Sequence, residues 1–364
     1  MSEALGTRPS PEQLLILHAA LDEPAAALSA WKRWRAAMDL SDAGGGTARL
    51  LPLVYRNLGP DAFGPEDSKR FKDIYRESWG RNQLLFKRAA GVIVLLERAG
   101  IETLVLKGAS LAALSYRDAG ARPMDDVDVL VPLARVRGAI DALAAAGWAS
   151  AHDDPGVWTE AHHSLGHSGA RGGEVDLHWF ALWQPARDDG LWRAAVPFEL
   201  AGAATRAPCP ADQLLLICVH GVPWSPMSPF RWIADAIAVI RSAGDALDWD
   251  RLAAEAERRR LTVALGAALA YLRDEFDAPV PASLLAQLES VPAPRHERVA
   301  FRASCEPDRP IRTLRMAWDR YRRLRDLDTG APPPPSFLSF ARRFWGLDSA
   351  WKLPLHGARS LYKR

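Results

Sequence analysis

The chain is 364 residues long and carries 46 Lys+Arg against 44 Asp+Glu, a formal charge of +2, which excludes a uniformly basic nucleic-acid coat and an acidic solvating tail. Hydrophobic residues at 48% and charged residues at 25% suffice for a real core, spread over two or three folding units at about 150 residues each. The cysteines, Cys209, Cys218 and Cys305, lack CxxC spacing, so neither a disulfide framework nor a Cys-based zinc site is expected, and a reducing compartment fits.

Residues 1–100 read as a helical region. Ser10-Pro11 is a start signal, and Leu14, Leu15, Leu17, His18 and Leu21 recur at helical spacing. Leu50–Leu58 continues the pattern until Gly59-Pro60 breaks it. A longer periodic stretch runs from Glu66 to Arg98 and stops at Ala99-Gly100. The character changes at Ile101. Thr103–Leu106 reads as a buried strand, Lys107-Gly108-Ala109-Ser110 as the turn into a short helix reaching Tyr116, and Met124–Val131 as a second strand. Residues 134–146 form a returning helix, and Trp158–His167 and Glu174–Trp179 read as strands joined by a turn at Ser168–Gly173. This order predicts an α+β fold, with a small mixed β-sheet at 101–205 between the N-terminal helical region and a C-terminal helical domain at 206–330.

Within that last domain Leu214–His220, Phe230–Arg241 and Leu252–Phe276 are the strongest helical stretches, followed by 282–290 and 296–327. Residues 331–364 comprise a stiff linker at Pro332–Pro335 and a basic, aromatic tail, since Ser336–Arg364 holds six Lys/Arg and one Asp. Such a tail either docks a partner or membrane surface or folds back on the chain's own acidic body. The N-terminus lacks the form of an export signal, and the longest near-apolar run, Val263–Leu272, is about half the length of a spanning helix. A cytoplasmic location is expected.

Chemistry concentrates in Asp126-Val127-Asp128. Alternate strand residues share a face, so the two acids lie together while Val127, Val129 and Val131 turn to the core. Carboxylates roughly 5 Å apart repel by about 3 kcal/mol at an effective dielectric near 20. A fold that keeps such a pair holds a cation there or keeps one acid protonated. Asp176, between Val175 and Leu177, is a third acid in the same alternation. Three carboxylates suffice for two Mg2+ ions about 3.5–4 Å apart, which align a hydroxyl against a phosphoryl group. Upstream, Lys107, Gly108 and Ser110 form an anion cradle at a helix N-terminus, although neither GxxxxGK[ST] nor GxGxxG occurs there. Arg122 supplies a second charge for a triphosphate.

Other polar residues are less specific. His162, His163 and His167 cluster without cysteine or HExxH, which argues against zinc. His178 shares a strand face with Asp176 and is a candidate accessory residue. His220 and Arg231 precede helical stretches able to close over the site, with Asp235 one turn after Arg231, although a helix–helix ion pair or a capping contact would also account for these residues. The Arg258–Arg260 and Arg320–Arg325 runs read as solvated helix faces, and Trp31, Trp34, Trp179 and Trp232 as core or interface anchors.

Leu106-Lys107-Gly108, Tyr116, Arg122-Pro123-Met124-x-Asp126-x-Asp128 and Val175-Asp176-Leu177-His178-Trp179 resemble the bacterial uncharacterised nucleotidyltransferase family of the DNA polymerase β-type superfamily. The resemblance continues through Asp212-Gln213-Leu214-Leu215, His220-Gly221, Trp224 and Arg231-Trp232-Ile233-x-Asp235, and covers roughly residues 12–325. It implies a nucleotidyltransferase core in which Asp126 and Asp128 bind magnesium, Asp176 completes the site and activates the acceptor hydroxyl, and Lys107, Gly108 and Ser110 hold the nucleotide phosphates. Ala109 stands where the wider superfamily has Gly or Ser, and Asp126 follows Gly108 by eighteen residues, later than in most of that superfamily. Metal binding is therefore the firmer expectation.

The expected reaction is Mg2+-dependent transfer of a nucleoside monophosphate from an NTP, ATP foremost, to a hydroxyl of a small molecule, peptide or protein, with release of pyrophosphate. The near-neutral body disfavours a long nucleic-acid acceptor. The alternative is a non-catalytic nucleotide- or protein-binding regulatory module, antitoxin-like, on the same fold.

Overall fold

The computed structural model describes residues 8–170, 173–223, 230–306, 310–327, 336–347 and 349. Residues 171–172 of the expected turn, Trp224, the Pro332–Pro335 linker and the chain beyond 349 lie outside these. The first helix, α1 (Pro11–Leu21), starts at a reciprocal cap: Ser10 Oγ accepts from the Gln13 amide (3.3 Å) and Gln13 Oε1 accepts from the Ser10 amide (2.9 Å). Helices α2 (Pro24–Ala37), α3 (Gly45–Ala48), α4 (Leu51–Leu58) and α5 (Pro65–Arg98) follow.

The sheet region then reads β1 (Leu104–Val105), α6 (Lys107–Leu114), β2 (Val127–Leu130), α7 (Val136–Ala145), β3 (Trp148–Ser150), α8 (Pro155–Thr159), β4 (Ser164–Gly169), β5 (Glu174–His178), α9 (Asp189–Ala194), β6 (Val196–Leu200) and β7 (Ala203–Ala207). The strands form one mixed sheet in the order β3-β4-β5-β2-β1-β7-β6. β2 runs parallel to β5, with Asp128 opposite Asp176, and β1 runs parallel to β7. Helices α10 (Pro210–Gly221), α11 (Arg231–Ala243), α12 (Trp249–Arg258), α13 (Thr262–Phe276), α14 (Ala282–Ser290), α15 (Arg295–Cys305), α16 (Pro310–Asp326) and α17 (Phe337–Phe344) complete the chain.

Strand alternation sorts the sheet's side chains into two apolar clusters. Val105, Val127, Val129, Val175 and Leu177 join Ile93 and Leu96 of α5 and Ile140 and Leu143 of α7. Leu104, Leu106 and Leu130 join α10 and α11, and this second cluster also takes in Leu17, Trp31 and Trp34 from the N-terminal helices. Asp128, Asp176 and His178 stand at alternate positions to Val127, Val129, Val175 and Leu177, so they interrupt the second layer with polar groups.

Several expectations need correction. Trp158 lies in α8, because Asp154 caps the Val157 amide (3.1 Å) and Pro155 takes the first helical position; the strand begins only at Ser164. Leu252–Phe276 is two helices, broken where Arg260 adopts φ +55°. The 296–327 stretch is likewise α15 and α16. The arginine runs are not uniformly solvated. Arg259, 3% exposed, pairs with Asp188 (2.7 Å) and Glu255 (3.2 Å). Arg320, 1% exposed, donates to the Ala161 carbonyl (2.6 Å) and that of Trp183, and Arg323 donates to Asp319 (2.9 Å) and the Arg259 carbonyl (2.8 Å). The Arg320 and Arg323 guanidiniums fasten α16 to backbone carbonyls of Ala161, Trp183 and Arg259.

The described part of the tail folds back: Phe340 and Ala341 are buried, and Phe344 stacks on His162 at 5.2 Å. Arg343 pairs with Glu160. No described helix is long and apolar enough to cross a membrane.

The α10–α11 contact depends on one small residue. A Cβ at Gly221 would stand 2.1 Å from the Trp232 side chain. Gly221→Ala is therefore expected to cost about 1–3 kcal/mol through overpacking, read as a lower urea midpoint at unchanged m-value.

Candidate active site

The site is built where β2 and β5 lie in register. Asp128 and Asp176 oppose each other, and His178, two residues along β5, shares their face. Its Nε2 lies 2.9 Å from Asp128 Oδ1 and 3.0 Å from Asp176 Oδ2, and its ring is fully buried. Its Nδ1 lies 3.2 Å from the Phe180 carbonyl. Lys107 enters from the start of α6, with φ +46°, and donates Nζ to the same Asp128 oxygen at 2.9 Å. Ligand atoms of Asp128, Asp176 and His178 all lie within 4.8 Å of one another, a spacing one metal ion can bridge. Asp126 stands outside that tightest group, at the more exposed rim.

Charge coupling separates the three acids. Burial opposes ionisation of Asp128, but Lys107 and His178 outweigh it and hold its pKa far below the usual range. Asp176 is likewise lowered, with burial overcome by the His178 hydrogen bond. Asp126 goes the other way, to about 6, because its carboxyl, though the residue is exposed at the rim, is partly screened from solvent and lies near the like charge of Asp128. Burial and Lys107 push His178 down, yet its bonds to Asp128 and Asp176 raise it to about 9. The Lys107 ammonium and the His178 ring thus crowd the two carboxylates where a cation belongs, and the spacing of the ligand atoms fits a divalent metal.

A second buried network forms the opposite wall. Arg122 forks onto Asp235, with Nε to Oδ1 and Nη2 to Oδ2 both at 2.8 Å, and Tyr116 donates its hydroxyl to Oδ1 at 2.9 Å. Burial disfavours the Arg122 charge, but Asp235 raises its pKa above the ordinary value. Arg231 donates to the Pro123 carbonyl (3.1 Å) and makes no ion pair among the described residues. Burial, then Arg122, lowers it to about 10. Asp235 is thus held by an ion pair that spans the fold, from Arg122 before β2 to α11. Gly108 has its reason here: a Cβ would stand 2.6 Å from Arg122 Nη1 and 2.7 Å from Met124 Sδ.

Both walls border one cleft of about 460 Å³. Of the residues singled out in the sequence, it brings together Lys107, Gly108, Arg122, Asp126, Asp128, Asp176, His220, Arg231 and Asp235. Ser110 is not brought there. It is fully buried, donates to the Lys107 carbonyl and accepts from Gln213 Nε2, both at 3.0 Å. His220, exposed at the end of α10, is lowered to about 3, by the nearby Lys107 charge first. The cleft also takes in His163, weighed only as a zinc ligand, and Trp232, read only as a core anchor, and adds Arg49 and Asp125, which sequence reasoning passed over. Asp125 is held by Arg81 (2.7 Å) and by Arg49, tying the loop before β2 to the N-terminal helices. Asp125 was visible as a third acid in the strand segment; Arg49 carries no local signal.

A family model described as "Uncharacterised nucleotidyltransferase" matches residues 34–277. Among solved structures, the chain is similar to an antigenic nucleotidyltransferase-like protein from Paracoccidioides brasiliensis, at 16% identity over 57% of this chain and 92% of that one, with a TM-score of 0.38. It is also similar to the antibiotic-resistance factor ANT(2'')-Ia, at 11% identity over 54% and 95%, with a TM-score of 0.34. No curated protein matches.

Proposed function

We propose what this chain does from one premise: it belongs to the uncharacterised nucleotidyltransferase family. It transfers a nucleoside monophosphate from a nucleoside triphosphate, ATP foremost, to a hydroxyl acceptor and releases pyrophosphate. The observation that carries this reading is the pairing of Asp128 with Asp176 on adjacent parallel strands, on the floor of a cleft whose rim holds Asp126. Mg2+ held by Asp126, Asp128 and Asp176 would, when bound, neutralise the triphosphate and polarise the reacting phosphoryl oxygens.

The chain's own groups do the rest by positioning. Asp176, kept ionised, accepts a hydrogen bond from the acceptor hydroxyl and orients its oxygen. Lys107, already aligned by Asp128, turns one ammonium hydrogen toward a phosphate oxygen. Arg122 is fixed by Asp235, so its charge is presented without reorganisation. Arg231 lies in the same wall with only a carbonyl as partner, which makes it the cation best suited to the pyrophosphate leaving group. Arg231→Ala is expected to raise the KM for ATP about 10–100-fold, the worth of one charged hydrogen bond, with a smaller change in kcat, measured by steady-state kinetics.

The test of the reaction is acceptor-dependent release of pyrophosphate from α-labelled ATP, with label appearing in the acceptor. Nucleotide binding without pyrophosphate from small-molecule, peptide or protein acceptors would overturn transfer in favour of the non-catalytic module.

A further inference from the structure

We infer that His178 is a metal ligand, and that Asp128, Asp176 and His178 form a mixed oxygen–nitrogen site selecting a first-row transition ion over Mg2+. The inference rests on the metal site of the proposed function and goes beyond it in donor set and metal class. Its basis is the placement of one imidazole. His178 Nε2 lies between the two carboxylates, 2.9 Å from Asp128 Oδ1 and 3.0 Å from Asp176 Oδ2. The other ring nitrogen faces outward from the group, 3.2 Å from the Phe180 carbonyl. A backbone carbonyl on one nitrogen is the usual device that aims the other nitrogen's lone pair at a metal.

The ring has no freedom to turn away. It is fully buried, and His163 packs edge-on against it at 5.2 Å and 78°. With Nδ1–H donated to Phe180, the Nε2 lone pair, Asp128 and Asp176 converge within 4.8 Å. A divalent ion bound there would take Nε2 and one oxygen each of Asp128 and Asp176 as its protein donors. Asp126, outside this group at the rim, is left to an ion arriving with the nucleotide.

Selectivity follows from ligand chemistry. Mg2+ is a hard ion that takes oxygen donors and gives up water reluctantly, whereas an imidazole nitrogen favours the transition series. Mn2+ lies at the weak end of that series, so its advantage is a lower bound for the others.

The test uses the full chain with Mn2+ as probe, with and without a non-hydrolysable ATP analogue. Electron spin echo modulation of bound Mn2+ is expected to show coupling to a directly bound 14N, replaced by 15N coupling when the chain is grown with 15N-histidine. His178→Gln is expected to abolish that coupling, while His163→Gln and His220→Gln retain it. Competition titrations are expected to give Mn2+ at least about tenfold tighter binding than Mg2+ in the unmodified chain, falling toward parity in His178→Gln. Bound Mn2+ without histidine nitrogen coupling in the unmodified chain overturns the inference, as does absence of Mn2+ binding both with and without the analogue; neither result depends on how the variants fold. Nitrogen coupling without pyrophosphate release would leave this inference standing while removing the transferase reading.

Discussion

Asp128→Asn is expected to lower nucleotidyl transfer by about 10²–10³-fold, the scale of losing one preorganised group at the reacting centre. The shape of the side chain survives and only its charge goes. Asp128 is the hub of the site, because Lys107 and His178 both reach its Oδ1 at 2.9 Å. Removing the charge leaves the Lys107 ammonium buried without its counterion, so stability is also expected to fall by about 3–5 kcal/mol. Asp126→Asn separates the two effects. That carboxyl stands at the exposed rim and pairs with no cation among the described residues, so activity is expected to fall with little change in melting temperature. Adding Lys107→Met to Asp128→Asn is expected to recover part of the lost stability and none of the activity, a coupling that a double-mutant cycle measures. Near-normal turnover in Asp128→Asn would remove the reaction proposed here.

The acids of the floor were legible because a strand has a period of two. In Val127-Asp128-Val129 and Val175-Asp176-Leu177-His178 the apolar residues mark one face, so Asp128, Asp176 and His178 share the other, whereas Asp126 precedes the strand and falls outside that count. His178 was legible by the same count. The register that sets Asp128 against Asp176 joins residues about fifty apart, and a single sequence carries no signal for it beyond matching context. The direction of Ser110 was hidden because its hydroxyl is captured by Gln213 on α10, 103 residues away. Arg231 and Asp235 show why local spacing misleads at buried sites. One turn apart, they offer each other an i,i+4 contact worth a few tenths of a kcal/mol, yet Asp235 takes a forked bond from Arg122, 113 residues away, that local geometry cannot offer. The β6–β7 hairpin escaped notice because Ala203–Ala207 lacks the β-branched alternation that marks a strand. Arg320 defied a base rate: its burial follows from the Ala161 and Trp183 carbonyls it satisfies, which only the assembled fold places together.

Asp235→Ala is expected to be the most destabilising change in the opposite wall, by about 3–5 kcal/mol, because it strands Arg122 in the interior and leaves the Tyr116 hydroxyl without its acceptor. The dependence on pH identifies the cause. Burial raises the Asp235 pKa, but Arg122 outweighs it and the folded value lies below the ordinary one. A lowered folded pKa contributes stability that is complete above the unfolded value, about 3.9, and disappears as the pH falls through the folded value. The gap between the unmodified chain and Asp235→Ala is therefore expected to stay constant from about pH 5 upward and to narrow in acid, read from urea midpoints at each pH. A gap that instead keeps its full size into acid would mean that lost packing, not the ion pair, sets the cost. Arg122→Lys refines the result, since an ammonium cannot make the forked contact. Because Gly108 leaves room for the guanidinium close to the start of α6, the shorter reach of the lysine head is expected to raise the KM for ATP while the Asp235 charge stays paired. Loss of fold in Asp235→Ala with only weakened nucleotide binding in Arg122→Lys would thus place one arginine in two roles, holding the wall together and presenting a charge to the triphosphate.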